Sequence, residues 1–193
     1  MITLFVPETD VNSDDSKFRE ICARNPENRV ERTKKGEILI MAPTGGETGF
    51  LNLELGRIFG NWNKKKKLGR VFDSSTAFRM PSSAIRSPDI SFLSMERWEK
   101  LSPKERSEFP PVCPDFVAEI RSKSDSLKEL QKKMEEWMEN GCLLSWLLDI
   151  FEKKAYIYRP SKETELKTGE KILLSGEDVL PGLEFYLHEL YEV

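Results

Sequence analysis

Asp115-Phe-Val-Ala-Glu-Ile-Arg121, Ser126-Leu-Lys-Glu-Leu-Gln-Lys-Lys-Met-Glu-Glu-Trp-Met-Glu139 and Leu143-Leu-Ser-Trp-Leu-Leu-Asp149 follow one another with only short polar breaks. The first and third are short apolar runs of strand length. The second repeats its apolar residues at helical spacing: at 100° per residue, Leu127, Leu130, Met134, Trp137 and Met138 form one stripe. Asp125 stands where an N-cap is expected, and Asn140-Gly141 is a stop signal. A helix that joins two strands of one sheet makes them parallel neighbours and covers a face of that sheet. The expected class is therefore α/β, with a mixed sheet flanked by helices.

Working outward, residues 1–27 read as polar and irregular, with a short helix around Phe18, Ile21 and Cys22 ending at Asn25-Pro26. Residues 28–42 read as a hairpin turning at Lys34-Lys-Gly36, and Pro43–Gly46 as a loop. An apolar stripe over 47–63 predicts a core helix, from which Glu54 points to solvent. Strands are expected at about 70–73, 76–80 and 88–93, then a charged helical excursion over 95–108. Lys154–Tyr158 pairs with 143–149, and the tail holds a weak strand near 171–174 and an apolar segment at 183–190. Phe59, Trp62, Trp137 and Trp146 are core residues by default.

The chain has 193 residues, enough for one domain with a proper core. Its formal charge of −3 means that any attraction for nucleic acid must come from a local patch. Lys64–Lys67 is one such run, although a lysine-rich helix end also suits the negative pole of the helix dipole. The three cysteines are widely spaced, which argues against a zinc site or a disulfide framework and suits a reducing cytoplasm. With one histidine, His188 near the end of the chain, imidazole-based catalysis has little support. No signal-like or membrane-spanning run is present in the sequence.

Two carboxylates and a lysine carry the chemistry. Ser87-Pro-Asp89 opens a strand, where proline is tolerated. Glu119 lies late in the next strand among apolar residues, where a carboxylate is costly unless paired or bound to a cation. On the following helix Lys132 points away from the apolar stripe, whereas Lys133 lies beside it. About 12 Å of helix rise returns Lys133 to the level of Glu119. This is the equipment for metal-assisted phosphodiester cleavage: oxygen ligands for Mg²⁺, and a cation to orient water or to stabilise developing charge.

Gly36–Gly49, Phe72–Phe78, Ala84–Asp89, Phe109–Glu119, Ser124–Leu127, Lys133 and Leu174–Gly182, in that order, together resemble the Uma-type restriction endonuclease family of the PD-(D/E)xK nucleases. The resemblance spans nearly the whole chain. It implies a restriction-endonuclease-like core over 46–160, an N-terminal extension and hairpin over 1–45, and C-terminal strand additions over 161–193. It implies Mg²⁺ as cofactor, with Mn²⁺ as a substitute, and DNA as partner. Carried over by position, Asp89 and Glu119 are the metal-binding pair and Lys133 the catalytic lysine. Arg121 stands where the superfamily pattern has lysine, and Lys123 where the family has proline. Glu47 matches a position that is acidic or histidine in relatives and is a candidate third residue of the site. Arg86, Arg121 and Lys123 are candidate nucleic-acid contacts, and Arg86 serves equally well as an ion-pair partner. Three functions remain open: a DNA endonuclease, a catalytically weak nuclease-fold protein that binds nucleic acid or a protein partner, and an enzyme acting on another phosphate-bearing substrate. Cutting both strands with one site per chain predicts a homodimer, with the N-terminal hairpin and the excursion, including Trp98 and Phe109, as candidate surfaces.

Overall fold

Alternation along one strand sets the layers. In the computed structural model, Phe116, Ala118 and Ile120 face one apolar cluster, and Val117 faces another on the opposite side of the sheet. The structure describes residues 2–5, 15–26, 28–41 and 43–192. In chain order the elements are β1 (Ile2–Phe5), α1 (Ser16–Arg24), β2 (Arg29–Arg32), β3 (Glu37–Met41), α2 (Gly46–Lys66), β4 (Gly69–Phe72), β5 (Phe78–Arg79), β6 (Ile85–Arg86), β7 (Ile90–Ser94), α3 (Met95–Glu99), α4 (Pro103–Ser107), β8 (Phe116–Ile120), α5 (Leu127–Glu139), β9 (Leu144–Asp149), β10 (Lys154–Tyr158), β11 (Glu165–Thr168), β12 (Leu173–Ser175), β13 (Glu184–Tyr186) and a 3-10 turn (Leu187–Leu190).

The central sheet has the order β11-β10-β9-β8-β7-β4. Its β8–β9 pair is parallel, as the intervening α5 requires, and its other pairs are antiparallel. On one face α2 buries Leu51, Leu55, Phe59 and Trp62, and the C-terminal segment adds Leu174, Leu180 and Phe185. Trp146 is the hub there, with Phe116 at 4.7 Å and Phe59 at 6.0 Å between ring centres. On the other face Met134 and Trp137 of α5 pack on Val117, Leu147 and Tyr156. Among the described residues no helix is long and apolar enough to cross a membrane.

The hairpin is β2–β3, turning at Gly36 with φ +84°, a conformation glycine adopts without strain. Of the stretch expected to be irregular, Met1, residues 6–14 and Glu27 lie outside the described residues, as does Ala42 at the end of the hairpin segment, and Ile2–Phe5 departs from that reading by pairing as a strand with β3. A second sheet, β1-β3-β2-β6-β5, joins the hairpin to strands from the middle of the chain over Phe18, Val30, Ile38 and Ile85. Several local readings change. Ser126, rather than Asp125, caps α5 by accepting from the Glu129 N–H, while Asp125 accepts from the Ser122 N–H. Glu54 is tucked in, its side chain 13% exposed and paired with Arg57, so it does not point to solvent. Trp98 packs on Phe72 and takes the Arg106 guanidinium over its ring, and Phe109 packs edge-on against Phe18. The apolar residues assigned to a dimer surface thus have partners within the chain.

Gly69 marks a tight spot where β4 meets β7. A Cβ there would sit 2.1 Å from the Leu93 carbonyl oxygen and 2.7 Å from the Phe92 ring. Gly69→Ala is therefore expected to destabilise the fold by about 2 kcal/mol or more. Gly60, inside α2, has open space where its Cβ would point. Gly60→Ala is expected to stabilise by about 0.5–1 kcal/mol. Urea unfolding of both variants checks the pair, and equal shifts would contradict the packing described.

Candidate active site

The β7–β8 register places the acids. Ile90 pairs with Ala118, so Asp89 and Glu119 face each other where the two strands continue. Both are buried, at 7% and 2% exposure. Asp89 is fixed on both oxygens: Oδ2 accepts from the Ile120 N–H at 2.8 Å, and Oδ1 from Arg29 at 3.1 Å. From the α5 side Lys133 reaches in. Its Nζ donates to Glu31 Oε1 at 2.9 Å and to the Ser87 carbonyl at 3.1 Å. It also stands 2.7 Å from Glu119 Oε1, off the hydrogen-bonding direction, so this buried oxygen has no hydrogen-bond donor. Lys132 is exposed and pairs with Glu129 on its own helix.

Beside Asp89 a cleft of about 460 Å³ opens between α2 and the β4–β5 loop, lined by Asn52, Leu53, Gly56, Arg57, Asp73, Ser74 and Ile90. The other candidates lie apart from the acid pair. Arg86 is buried and occupied by Glu31 and Glu136. Arg121 is held by the buried Asp149 carboxylate at 2.5 Å. Lys123 and Glu47 are exposed and pair with each other at 3.0 Å, with Lys123 also over the Phe151 ring.

Sequence reasoning did not single out Arg29, Glu31 and Glu136. Glu31 is 1% exposed and accepts from Lys133, Arg86 and the Ser87 N–H. A charged Arg-Val-Glu-Arg strand reads locally as a surface hairpin, and only the tertiary docking of β2 buries it. Glu136 carried a weak signal: it is three residues beyond Lys133 on α5, on the same flank of the stripe.

Burial raises the carboxyls of Glu31 and Glu119, and neighbouring charge decides the outcome for each. At Glu31 burial is more than offset by Lys133, Arg86 and Arg29, which hold the carboxyl at about 2. At Glu119 burial dominates; Lys133 and Arg29 pull down, Asp89 pushes up, and the carboxyl settles at about 7. Lys133 loses by burial but gains more from Glu119 and Glu31, so its pKa is raised and it stays an ammonium.

A divalent cation fits this arrangement in two respects. Glu119 Oε1 is buried and accepts no hydrogen bond, its one close cation being Lys133 at 2.7 Å among the described residues, and Asp89 faces it. Among the described residues no three His, Cys, Asp or Glu side chains are grouped to cage a metal. A cation held by these two carboxylates keeps several waters, as Mg²⁺ prefers.

A family model, Uma2, described as "Putative restriction endonuclease", matches residues 15–188. The chain belongs to the Uma2 family. Among solved structures it is similar to the crystal structure of "a putative nuclease belonging to DUF820" from Anabaena variabilis, with 22% identity and a TM-score of 0.72. That match covers 84% of this chain and 89% of the other, and at this identity the likeness is one of fold. No curated protein matches. Within the Uma2 match lie all the residues of the buried cluster, Arg29 and Glu31 included.

The Glu119 shift has a sign that can be measured. Its folded pKa of about 7 lies above the unfolded value of 4.5, so the folded state holds the extra proton between them. The resulting stability is fully present below pH 4.5 and is lost as pH rises through 7. Glu31 works oppositely: its contribution is present above pH 4.5 and is lost as pH falls through 2. Metal-free protein is thus expected to be less stable at pH 8 than at pH 5.5, by on the order of 2–3 kcal/mol. Glu119→Gln should flatten that slope. An unchanged slope in urea titrations of the variant would assign the pH dependence elsewhere.

Proposed function

We propose that the protein is a divalent-metal-dependent endonuclease that hydrolyses phosphodiester bonds in DNA at the Asp89–Glu119–Lys133 cluster. The observation that carries this reading is the buried Glu119 carboxylate, facing Asp89, whose Oε1 stands 2.7 Å from the Lys133 ammonium yet accepts no hydrogen bond. Asp89 and Glu119 would hold the ion, Mg²⁺ with Mn²⁺ as a substitute. When bound, such an ion supplies a more acidic water and neutralises charge on the phosphate.

The chain's own residues do the rest. Glu31 and the Ser87 carbonyl fix the Lys133 ammonium at the acid pair, so positive charge is in place before the phosphate gains negative charge. Glu31 acts through Lys133 and is a positioning residue. Arg29 neutralises Asp89 while the site is metal-free. Its side chain is 30% exposed, so an outward turn would carry it toward solvent. Arg86 and Arg121 are already occupied by buried acids, which favours structural roles for both. Exposed Lys123 keeps its reading as a phosphate contact, and its partner Glu47 is a more distant candidate. The Arg29–Asp89 pair also favours a second reading, a catalytically weak nuclease-fold protein that binds nucleic acid, because metal must compete with it.

Incubation of supercoiled plasmid with Mg²⁺ or Mn²⁺ tests the reading. Wild type is expected to cut. Asp89→Asn should keep the fold and lose cutting, and Lys133→Ala should lower the rate by about a hundredfold or more. Lys132→Ala should stay within about twofold of wild type, because this exposed residue pairs with Glu129 on its own helix, away from the acid pair. Equal effects at positions 132 and 133 would contradict the site. A two-fold-related homodimer is expected to yield linear DNA directly, and a strictly nicking monomer would remove the dimer alone.

A further inference from the structure

Many exposed lysines of this protein have an acid at hand: Lys34, Lys100, Lys123 and Lys132 each pair with a glutamate. The end of α2 differs. Lys64, Lys65, Lys66, Lys67 and Arg70 put five positive charges within seven residues, all exposed. Among the described residues none of the five forms an ion pair. In a chain of net charge −3 this is a local field, not a consequence of composition. One or two lysines would satisfy the helix dipole, and four neighbours repel one another. Lys67 moreover takes the left-handed C-cap conformation, φ 55°, where glycine or asparagine is favoured and lysine gives up about 1 kcal/mol.

The direction of these charges links them to the cleft. At 100° per residue Leu53, Arg57, Gly60 and Lys64 lie within about 60° of arc on α2. This is the side opposite the buried Leu51, Leu55, Phe59 and Trp62. Leu53 and Arg57 already line the cleft beside Asp89, and Leu53 is 70% exposed. Lys64 lies about 16 Å further along the helix axis. Between them Gly60 leaves open space, so that a backbone can approach the helix closely. Lys66 leans the other way, with Nζ 3.2 Å from where a Cβ on Gly182 would stand.

We propose that this face of α2 is the docking track for duplex DNA. The strand leaves the Asp89 cleft along Leu53, Arg57 and Gly60, and Lys64 and Lys67 neutralise its phosphates about five base pairs from the bond that is cut, at roughly 3.4 Å per step. The proposal takes its substrate from the nuclease reading and adds the surface that holds it.

The test is binding of a labelled duplex of about 30 base pairs, followed by fluorescence anisotropy in EDTA across a salt series. The combined variant Lys64→Ser, Lys67→Asn should bind about 10-fold more weakly near 0.1 M salt and lose about 2 from the slope of log K against log salt. Both positions are exposed, and asparagine suits the left-handed cap, so the melting temperature should hold. Lys64→Ser should weaken binding several-fold and Lys66→Ser by less than about twofold, although both remove one charge. Unchanged affinity and slope in the combined variant would overturn the track. So would equal losses at positions 64 and 66, or lysine-dependent capture by phosphatidylserine vesicles with duplex binding unaffected. Cutting in Mn²⁺ is scored separately: Asp89→Asn that still binds but does not cut bears on the cluster, and loss of binding in the lysine variants bears on the track.

Discussion

The Lys133 ammonium, held between the carboxylates of Glu31 and Glu119, is the contact on which the rest of the site depends. It joins the hairpin strand β2, the central strand β8 and the helix α5, three elements far apart in sequence. Removing one partner from such a buried arrangement leaves an uncompensated charge, at a cost of about 3–5 kcal/mol. The hairpin is therefore fastened to the core by charge as well as by its β2–β6 pairing and its apolar cluster.

The cluster is balanced with little to spare. Glu31, Asp89, Glu119 and Glu136 face Arg29, Arg86 and Lys133. If all were ionised the group would carry one excess negative charge, and burial makes that expensive. Glu119 takes up the imbalance by moving to about 7. A divalent cation in place of that proton resolves the same imbalance and favours the ionised carboxylate. The features that make the metal-free cluster awkward, a shifted acid and a buried oxygen that accepts no hydrogen bond, are those on which the proposed cation site rests.

Much of this was legible in local pattern. The strand–helix–strand stretch from 115 to 149 prescribed the parallel pair, and helix angles separated Lys133 from Lys132. Asp89 stood out as the acid of Ser87-Pro-Asp89 opening a strand, and Glu119 as a carboxylate among apolar strand residues. Residues whose role comes from docking were not legible. Glu31 sits in a charged hairpin strand with no apolar alternation, and only the second sheet's placement against α5 buries it. Arg86 was ambiguous because a guanidinium serves a phosphate or a carboxylate equally well. The exposed polar strand β11 carries no period-2 signal, and it forms because β10 offers an edge.

The most direct measurement is anomalous scattering from crystals soaked in Mn²⁺. The account predicts a manganese peak between Asp89 and Glu119, within about 2.0–2.3 Å of an oxygen from each, with Arg29 turned away from Asp89. No peak at saturating Mn²⁺, or a peak only elsewhere with the Arg29–Asp89 pair intact, would contradict it.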